Sequence, residues 1–275
     1  MAAAIDSMEV AFGDDREVPR RSLLGGSLFM PGRAGPHAGI KVVSVVPGNP
    51  VGIVAIFSPD GSPLGLVDGP TLTAIRTGAA AGLATRLLAG KSPRVLAMLG
   101  AGAMAFDQIE AVKAVRPIER ILIWSRDPQR ASALASRVGG EMIGDPDAAV
   151  SAADIISTAT PSRHPLFSDD RVRSGTHINA VGAFTPRMCE IPPDTVHRAY
   201  VVVDDLEAAE EEAGDLIQAD RPPVCTIGDV LAGRHPQIGE DVTLFKSVGI
   251  ASQDVAAGVV ALARAASLGI GRRLS

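Results

Sequence analysis

The residues Gly100-Ala101-Gly102-Ala103-Met104-Ala105 follow the apolar run Val95–Leu99. A strand that passes through such a turn into a helix offers backbone N–H groups and a positive helix end to a pyrophosphate. Gly100 allows the tight turn, Gly102 lets the backbone approach the phosphates, and Ala105 keeps the helix close to the sheet. The next strand ends in Ser125-Arg126, with Asp127 just beyond and Arg130 one turn on. A hydroxyl and a guanidinium suit a ribose 2′-phosphate, since Arg pairs with phosphate oxygens bidentately. Asp127 is the dissenting residue, because a carboxylate there favours an unphosphorylated ribose. The expected cofactor is NADPH, with NADH possible. Two later strand ends, Thr158-Ala159-Thr160-Pro161 and Asn179-Ala180-Val181-Gly182, stand at the carboxyl edge and are expected to line the nicotinamide end.

Three cations lie in or beside apolar elements of the first ninety residues: Arg21, Lys41 and Arg76. Arg21, next to Arg20, also reads as half of a solvated pair, and Lys41 as a surface lysine on a strand. Arg76 sits in Leu72–Ala89, a run of small and apolar residues that reads as a buried helix. A buried arginine needs an anionic partner. Two or three charge-assisted hydrogen bonds, at about 1.5–3 kcal/mol each, would anchor a small amino-acid-like anion.

These residues need two kinds of scaffold. Met1–Phe12 has helical spacing, Arg16–Met30 reads as an extended segment and Gly32–Gly39 as a loop. Ile40–Val46 and Val51–Phe57 read as strands, and Ser58–Gly61 as a hairpin turn. From Arg94 onward, strand candidates Val95–Leu99, Ile121–Trp124, Asp154–Ala159, His177–Val181 and Tyr200–Val203 alternate with helical runs, the pattern of a doubly wound parallel sheet. A last helix near Ser252–Leu268 opens with the cap-type residues Ser252 and Asp254 and is expected to pack back on the N-terminal unit. The expected organisation is α/β: a Rossmann-type domain over 94–247 and a smaller, discontinuous α+β domain over 1–93 plus 248–275.

At 275 residues the chain can bury a large core. Its net charge of −5, without a basic block, argues against a nucleic-acid partner. No apolar run reaches the roughly 18 residues of a membrane span, and acidic residues stand where a signal peptide would carry positive charge. A cytoplasmic protein with no membrane segment is expected. Cys189 and Cys225 have no metal-ligand or CxxC spacing and read as reduced thiols, and the five histidines show no paired spacing, so no metal site is expected. Glu207–Asp215 reads as a solvated acidic helix face. Asp204-Asp205 ends a strand near the cofactor edge and reads either way.

The motifs from Lys41 through Asn49-Pro50, Val67-Asp68-Gly69, LTAIRTGAAAGLAT, LGAGAMA, INAVGAFTPRMCEI and SVGIASQDVAAG resemble the ornithine cyclodeaminase/mu-crystallin family, in the right order over nearly the whole chain. The start is shorter than is usual for the family, which implies that part of the first helix is missing. The resemblance implies that Arg21, Lys41 and Arg76 hold a substrate carboxylate. It implies that the turn from Gly100 to Ala105, with Thr77 and Ser247 from neighbouring motifs, serves a nicotinamide cofactor. It also implies a homodimer formed through the N-terminal unit.

One departure narrows the activity. Cyclodeaminases of the family carry an Asp after the INAVG-like strand, where it handles the amine proton; here that position is Phe184, which transfers no proton. A phenyl ring favours an apolar substrate ring beside the nicotinamide. GAFTPRMCEI is similar to the 1-pyrroline-2-carboxylate reductases. The implied activity is NAD(P)H-dependent reduction of a cyclic ketimine acid, 1-pyrroline-2-carboxylate or 1-piperideine-2-carboxylate, to L-proline or L-pipecolate, with Lys41 and Arg76 as the catalytic pair and Phe184 as a substrate contact. The alternatives are an alanine-type or N-alkyl amino-acid dehydrogenase, an ornithine cyclodeaminase, and a non-catalytic NADPH-dependent ligand-binding protein.

Overall fold

The computed structural model describes residues 1–46, 51–239 and 241–272; Asn49 and Pro50, which belong to the resemblance above, lie outside them. The chain divides into two compact units. One comprises Ala2–Arg76 with Ile250–Ser275, the other Thr77–Gly249 together with Met1.

The smaller unit begins with α1 (Ala2–Phe12), followed by β1 (Arg16–Glu17), β2 (Ser22–Leu24), β3 (Ser27–Ala34), β4 (His37–Ser44), β5 (Gly52–Phe57) and β6 (Pro63–Asp68). The strands are antiparallel in the order β1-β3-β4-β5-β6, with β2 on β3. Helix α2 (Gly69–Leu88) starts here. The last helix of the chain, Ala251–Leu268, packs along one face of this sheet.

Gly32–Gly39 is not the loop that its glycines suggest. It holds the end of β3, the turn Gly35-Pro36 and the start of β4, and Gly32 pairs across the strands with Gly39. A Cβ on Gly32 would lie 2.7 Å from the Ala251 Cβ, and one on Gly39 2.9 Å from Val255. These glycines let the last helix approach the sheet, a requirement that sequence composition shares with turns. The extended stretch expected over Arg16–Met30 is likewise two short strands and the start of β3. On the same inner face Lys41 points inward from β4 with Val54 and Ile56 from β5. The opposite face is apolar too: Phe29 pairs with Val42, Val42 with Ile53, and Ala55 with Leu66.

The larger unit holds β7 (Val95–Leu99), α3 (Ala105–Val115), β8 (Arg120–Trp124), α4 (Pro128–Val138), β9 (Glu141–Met142), α5 (Pro146–Ala152), β10 (Ile155–Thr158), β11 (His177–Ala180), α6 (Pro193–Arg198), β12 (Tyr200–Val203), α7 (Leu206–Glu212), α8 (Gly214–Gln218), β13 (Cys225–Thr226), α9 (Ile227–Leu231) and β14 (Thr243–Lys246); Ala251–Leu268 is thus α10. Its strands are parallel in the order β13-β12-β14-β11-β10-β7-β8-β9. Every residue of β10, β11 and β14 is buried, as expected for a sheet covered on both faces. The chain winds outward from β7 to β9, then returns to β10 on the other side of β7. The reversal leaves a crevice at the carboxyl ends of β7 and β10. Strand β14 escapes sequence reasoning because four residues, TLFK, carry too little pattern, yet it lies between β11 and β12. Among the described residues no helix is long and apolar enough to cross a membrane.

Candidate active site

At the crevice, Gly100 adopts φ +116°, and a Cβ there would sit 2.7 Å from the Ala159 carbonyl oxygen. Only glycine fits both the conformation and the approach. A Cβ on Gly102 meets nothing within 4 Å, so space opens where a pyrophosphate would lie. Ala103 and Met104 complete the turn, and α3 starts without a side-chain cap, leaving its positive end to an anion. A cavity of about 200 Å³ is lined by Gly100, Ala101, Gly102, Ser125, Arg126 and Arg130, with Thr160 across it.

Asp127 lines the same cavity, but its carboxylate caps α4, accepting from the Gln129 N–H at 3.0 Å and the Arg130 N–H at 3.3 Å. It also pairs with the Arg130 Nε at 3.3 Å. Its lone pairs are thus engaged with the helix end. The open glycine turn, uncapped helix and two arginines fit a nicotinamide dinucleotide.

Thr158 ends β10, buried, with its Oγ1 lacking a partner among the described residues. Val181 follows β11, its N–H donating to the Thr158 carbonyl at 3.1 Å. The Ser247 hydroxyl is engaged, donating to Asp204 Oδ2 at 2.8 Å; the same oxygen accepts from the Val248 and Gly249 N–H groups. Asp204 therefore fixes the segment after β14, and Asp205 caps α7, its Oδ1 accepting from the Ala208 N–H at 3.1 Å. Thr77 is buried on α2 as the first residue of the larger unit's main segment, and Phe184 stands half exposed on the segment after β11.

In the smaller unit, Lys41 and Arg76 converge on one carboxylate. Lys41 Nζ lies 3.4 Å and Arg76 Nε 3.2 Å from Asp254 Oδ1. Lys41 also donates to Thr73 Oγ1 at 2.6 Å, and Arg76 Nη1 to Gln253 Oε1 at 2.6 Å. Lys41 is 6%, Arg76 5% and Asp254 1% exposed. Burial, and then the charge of Arg76, bring the Lys41 pKa down to about 8 against the pull of Asp254; the charge of Arg21 lowers it further. The anionic partner that Arg76 required is therefore present in the chain. Asp254 does not cap α10, as its position near the helix start suggested. Ile250 is the N-cap residue, and Gln253 Oε1 accepts its N–H at 3.1 Å. Two buried cations share one oxygen of one carboxylate, and Asp254 Oδ2 has no hydrogen-bond partner among the described residues.

Three further buried charges lie in the larger unit. Glu190, wholly buried, accepts from the Thr160 N–H at 2.7 Å and the Thr160 hydroxyl at 2.9 Å on one oxygen. On the other it accepts from the Gly182 N–H at 2.8 Å and the Ala183 N–H at 3.1 Å. Asp215 Oδ1 accepts from the Glu190 and Ile191 N–H groups, while its Oδ2 lies 2.8 Å from Lys246 Nζ. Asp215 was expected on a solvated acidic face. Glu207, Glu210 and Glu211 are exposed, but Asp215 is 1% exposed, because the run bends from α7 into α8 and turns it inward. Lys246 could have been found as a lone lysine in an apolar run; Glu190 gave no signal beyond its place in the INAVGAFTPRMCEI motif.

The model of the ornithine cyclodeaminase/mu-crystallin family matches residues 18–267. A delta(1)-pyrroline-2-carboxylate reductase of Bacillus cereus is 38% identical over 261 residues, spanning 86% of this chain and 80% of that protein. The structure of the Thermococcus litoralis delta(1)-pyrroline-2-carboxylate reductase, in complex with NADH and L-proline, is similar with a TM-score of 0.90 at 29% identity, over 98% of this chain and 95% of the other. An archaeal alanine dehydrogenase dimer with bound NAD gives a TM-score of 0.92 at 30% identity, over 100% of this chain and 94% of the other. By its family match and these likenesses, the chain belongs to the ornithine cyclodeaminase/mu-crystallin family.

Proposed function

We propose that the protein is an NAD(P)H-dependent oxidoreductase that reduces the C=N bond of a cyclic ketimine acid, with 1-pyrroline-2-carboxylate giving L-proline as the leading reaction. The observation that carries this reading is the convergence of two buried cations, Lys41 and Arg76, on the single carboxylate of Asp254. A substrate carboxylate joins them, as the likeness to reductases of pyrroline-2-carboxylate supports. Arg76 and Lys41 hold that carboxylate and Arg21 assists. Holding it fixes the adjoining C=N carbon, a proximity effect. A bound nicotinamide supplies the hydride. Lys41, with its pKa lowered to about 8, carries a proton at Nζ that it can release near neutral pH. Phe184 offers an apolar surface where a deaminating enzyme needs an acid.

NADPH is the preferred cofactor in this reading. Arg126 and Arg130 line the crevice beside Ser125, and the carboxylate that would repel a 2′-phosphate is committed to capping α4. The glycine turn, with Thr158, Thr160, Val181, Ser247 and Thr77, completes the cofactor set. The smaller unit serves substrate binding and dimerisation, the larger the dinucleotide. A homodimer is supported by the apolar outer face of the small sheet, where Ile53 is 48% and Leu66 52% exposed. Cytoplasmic residence agrees with two free cysteines, both buried.

The likeness to an alanine dehydrogenase favours one second reading, the same anchor acting on an open-chain imine. Oxidation of NADPH and of NADH is followed with 1-pyrroline-2-carboxylate, 1-piperideine-2-carboxylate, pyruvate plus ammonia or methylamine, and ornithine. Turnover of a cyclic imine with NADPH used more efficiently is expected. Turnover of pyruvate plus amine alone would select the second reading, and ammonia release from ornithine without imine reduction would overturn both.

A further inference from the structure

Glu190 ties together two chain segments that leave the sheet separately. Thr160 follows β10 and Gly182-Ala183 follows β11, and all the donors that Glu190 accepts come from these two segments. The fit is close: a Cβ on Gly182 would fall 2.3 Å from the Thr160 nitrogen and 2.5 Å from the Glu190 carboxylate. Backbone pairing extends the tie, with Cys189 N–H donating to the Ser162 carbonyl and Leu166 N–H to that of Glu190, each at 2.9 Å. The clamp is itself anchored, because the Glu190 N–H donates to Asp215 at 2.6 Å and Asp215 pairs with Lys246. Register sets Lys246 level with Ala180 on β11 and Val203 on β12.

We propose that Glu190 is a positioning residue for the dinucleotide, whose carboxylate holds the Thr160 and Gly182-Ala183 segments together so that this part of the crevice is formed before the cofactor enters. The inference rests on the dinucleotide-binding reading above. Without the clamp, binding must first select the competent arrangement, and the apparent affinity falls by the fraction that is competent. Four acceptor contacts require the ionised carboxylate. Burial and the neighbouring Asp215 push the Glu190 pKa up to about 7, opposed by Lys246 and by the Thr160 hydrogen bonds. The charged and titratable groups that act on it are Asp215 from α8 and Lys246 from β14; the adjoining Cys189 thiol stays protonated, since burial and Asp215 push its pKa up to about 12.

The test is direct binding, read by the fluorescence of NADH on titration with wild-type and Glu190→Gln protein. NADH is chosen because it lacks the 2′-phosphate, whose second ionisation near pH 6 would add its own titration. At pH 8 the variant is expected to bind NADH about tenfold more weakly, the equivalent of one lost buried hydrogen bond. A purely structural role would lower the melting temperature of the free protein and leave the dissociation constant unchanged, and that result overturns the proposal. Should the variant fail to fold, the decision passes to Glu190→Asp, which keeps the charge but shortens its reach to the donors on Thr160, Gly182 and Ala183. Weaker NADH binding than wild type at pH 8 is expected; an unchanged dissociation constant overturns the clamp. If the wild-type protein binds neither NADH nor NADPH, the cofactor reading itself falls, an outcome distinct from equal binding by wild type and variant.

Discussion

Each unit buries a cluster of charges, and the two have opposite balances. In the smaller unit Lys41 and Arg76 share the single carboxylate of Asp254. In the larger unit the carboxylate of Asp215 pairs with the single ammonium of Lys246, and the carboxylate of Glu190 feels both charges. The negative surplus is absorbed internally, since backbone N–H groups of Thr160, Gly182, Ala183, Glu190 and Ile191 point at those carboxylates. Among the described residues the positive pair is met, besides Asp254, by neutral acceptors, the hydroxyl of Thr73 and the amide oxygen of Gln253. A buried charge left over needs a counter-charge. In the proposed function the difference separates scaffold from site: backbone N–H groups meet the carboxylates of the larger unit, and the cations of the smaller unit are the ones that would hold a substrate carboxylate.

This contrast can be broken most forcefully at Lys246. Removing one member of a buried ion pair costs about 3–5 kcal/mol, so Lys246→Met should lower Tm by about 10 °C in a chain of this size. Differential scanning calorimetry checks the size of the loss. Added L-proline should stabilise this variant no more than wild type, because Lys246 is no part of the Lys41, Arg76 and Asp254 cluster. A smaller but more telling effect is expected from Asp254→Asn, at about 2–3 kcal/mol because Gln253 and Thr73 still receive hydrogen bonds. Here L-proline should raise Tm by more than in wild type, since its carboxylate replaces the missing one; equal stabilisation would dissolve the distinction between the clusters.

The gentlest probe is pH. Lys41 is held near 8, below its ordinary value of 10.5, first by burial and then by Arg76. Between these two values the unfolded chain keeps a proton that the folded chain has lost, so folding stability rises with pH across that window. Carboxylate binding moves the other way, because the ammonium is lost. KM for the imino acid should therefore rise above about pH 8, approaching tenfold per unit as one proton is lost, and Lys41→Arg should abolish that limb. A KM independent of pH up to 10 would remove Lys41 from the anchor.

The sequence makes one of these clusters half visible and hides the other. Arg76 stands out because an arginine within a run of alanines and glycines has to be explained. Its partner Asp254 does not, since an aspartate in the first turn of a helix is accounted for by the helix dipole alone. It comes from the far end of the chain, and no local pattern encodes a separation of 178 residues. Asp215 is concealed by its acidic neighbours; Lys246 carries a signal, as a lone lysine in an apolar run, but the brevity of β14 leaves it without a strand to place it. The glycine turn is legible because local backbone geometry demands it, and the parallel sheet because its strands are apolar throughout. Gly32 and Gly39 mislead for the converse reason: a glycine required by a helix pressing from above looks the same in sequence as one required by a turn.

The hydrogen bonds of Glu190 also close a loop. They pin Gly182 and Ala183 at one end of this short loop and Glu190 at the other. Inside the loop Gln218 Nε2 donates to the carbonyls of Pro186 and Met188. Phe184 is thus displayed on a ring whose closure does not depend on its own side chain. Exchanging it leaves these four hydrogen bonds in place, so the loop need not be reformed. A closed ring with one replaceable side chain is a socket: the frame stays whichever side chain stands at position 184.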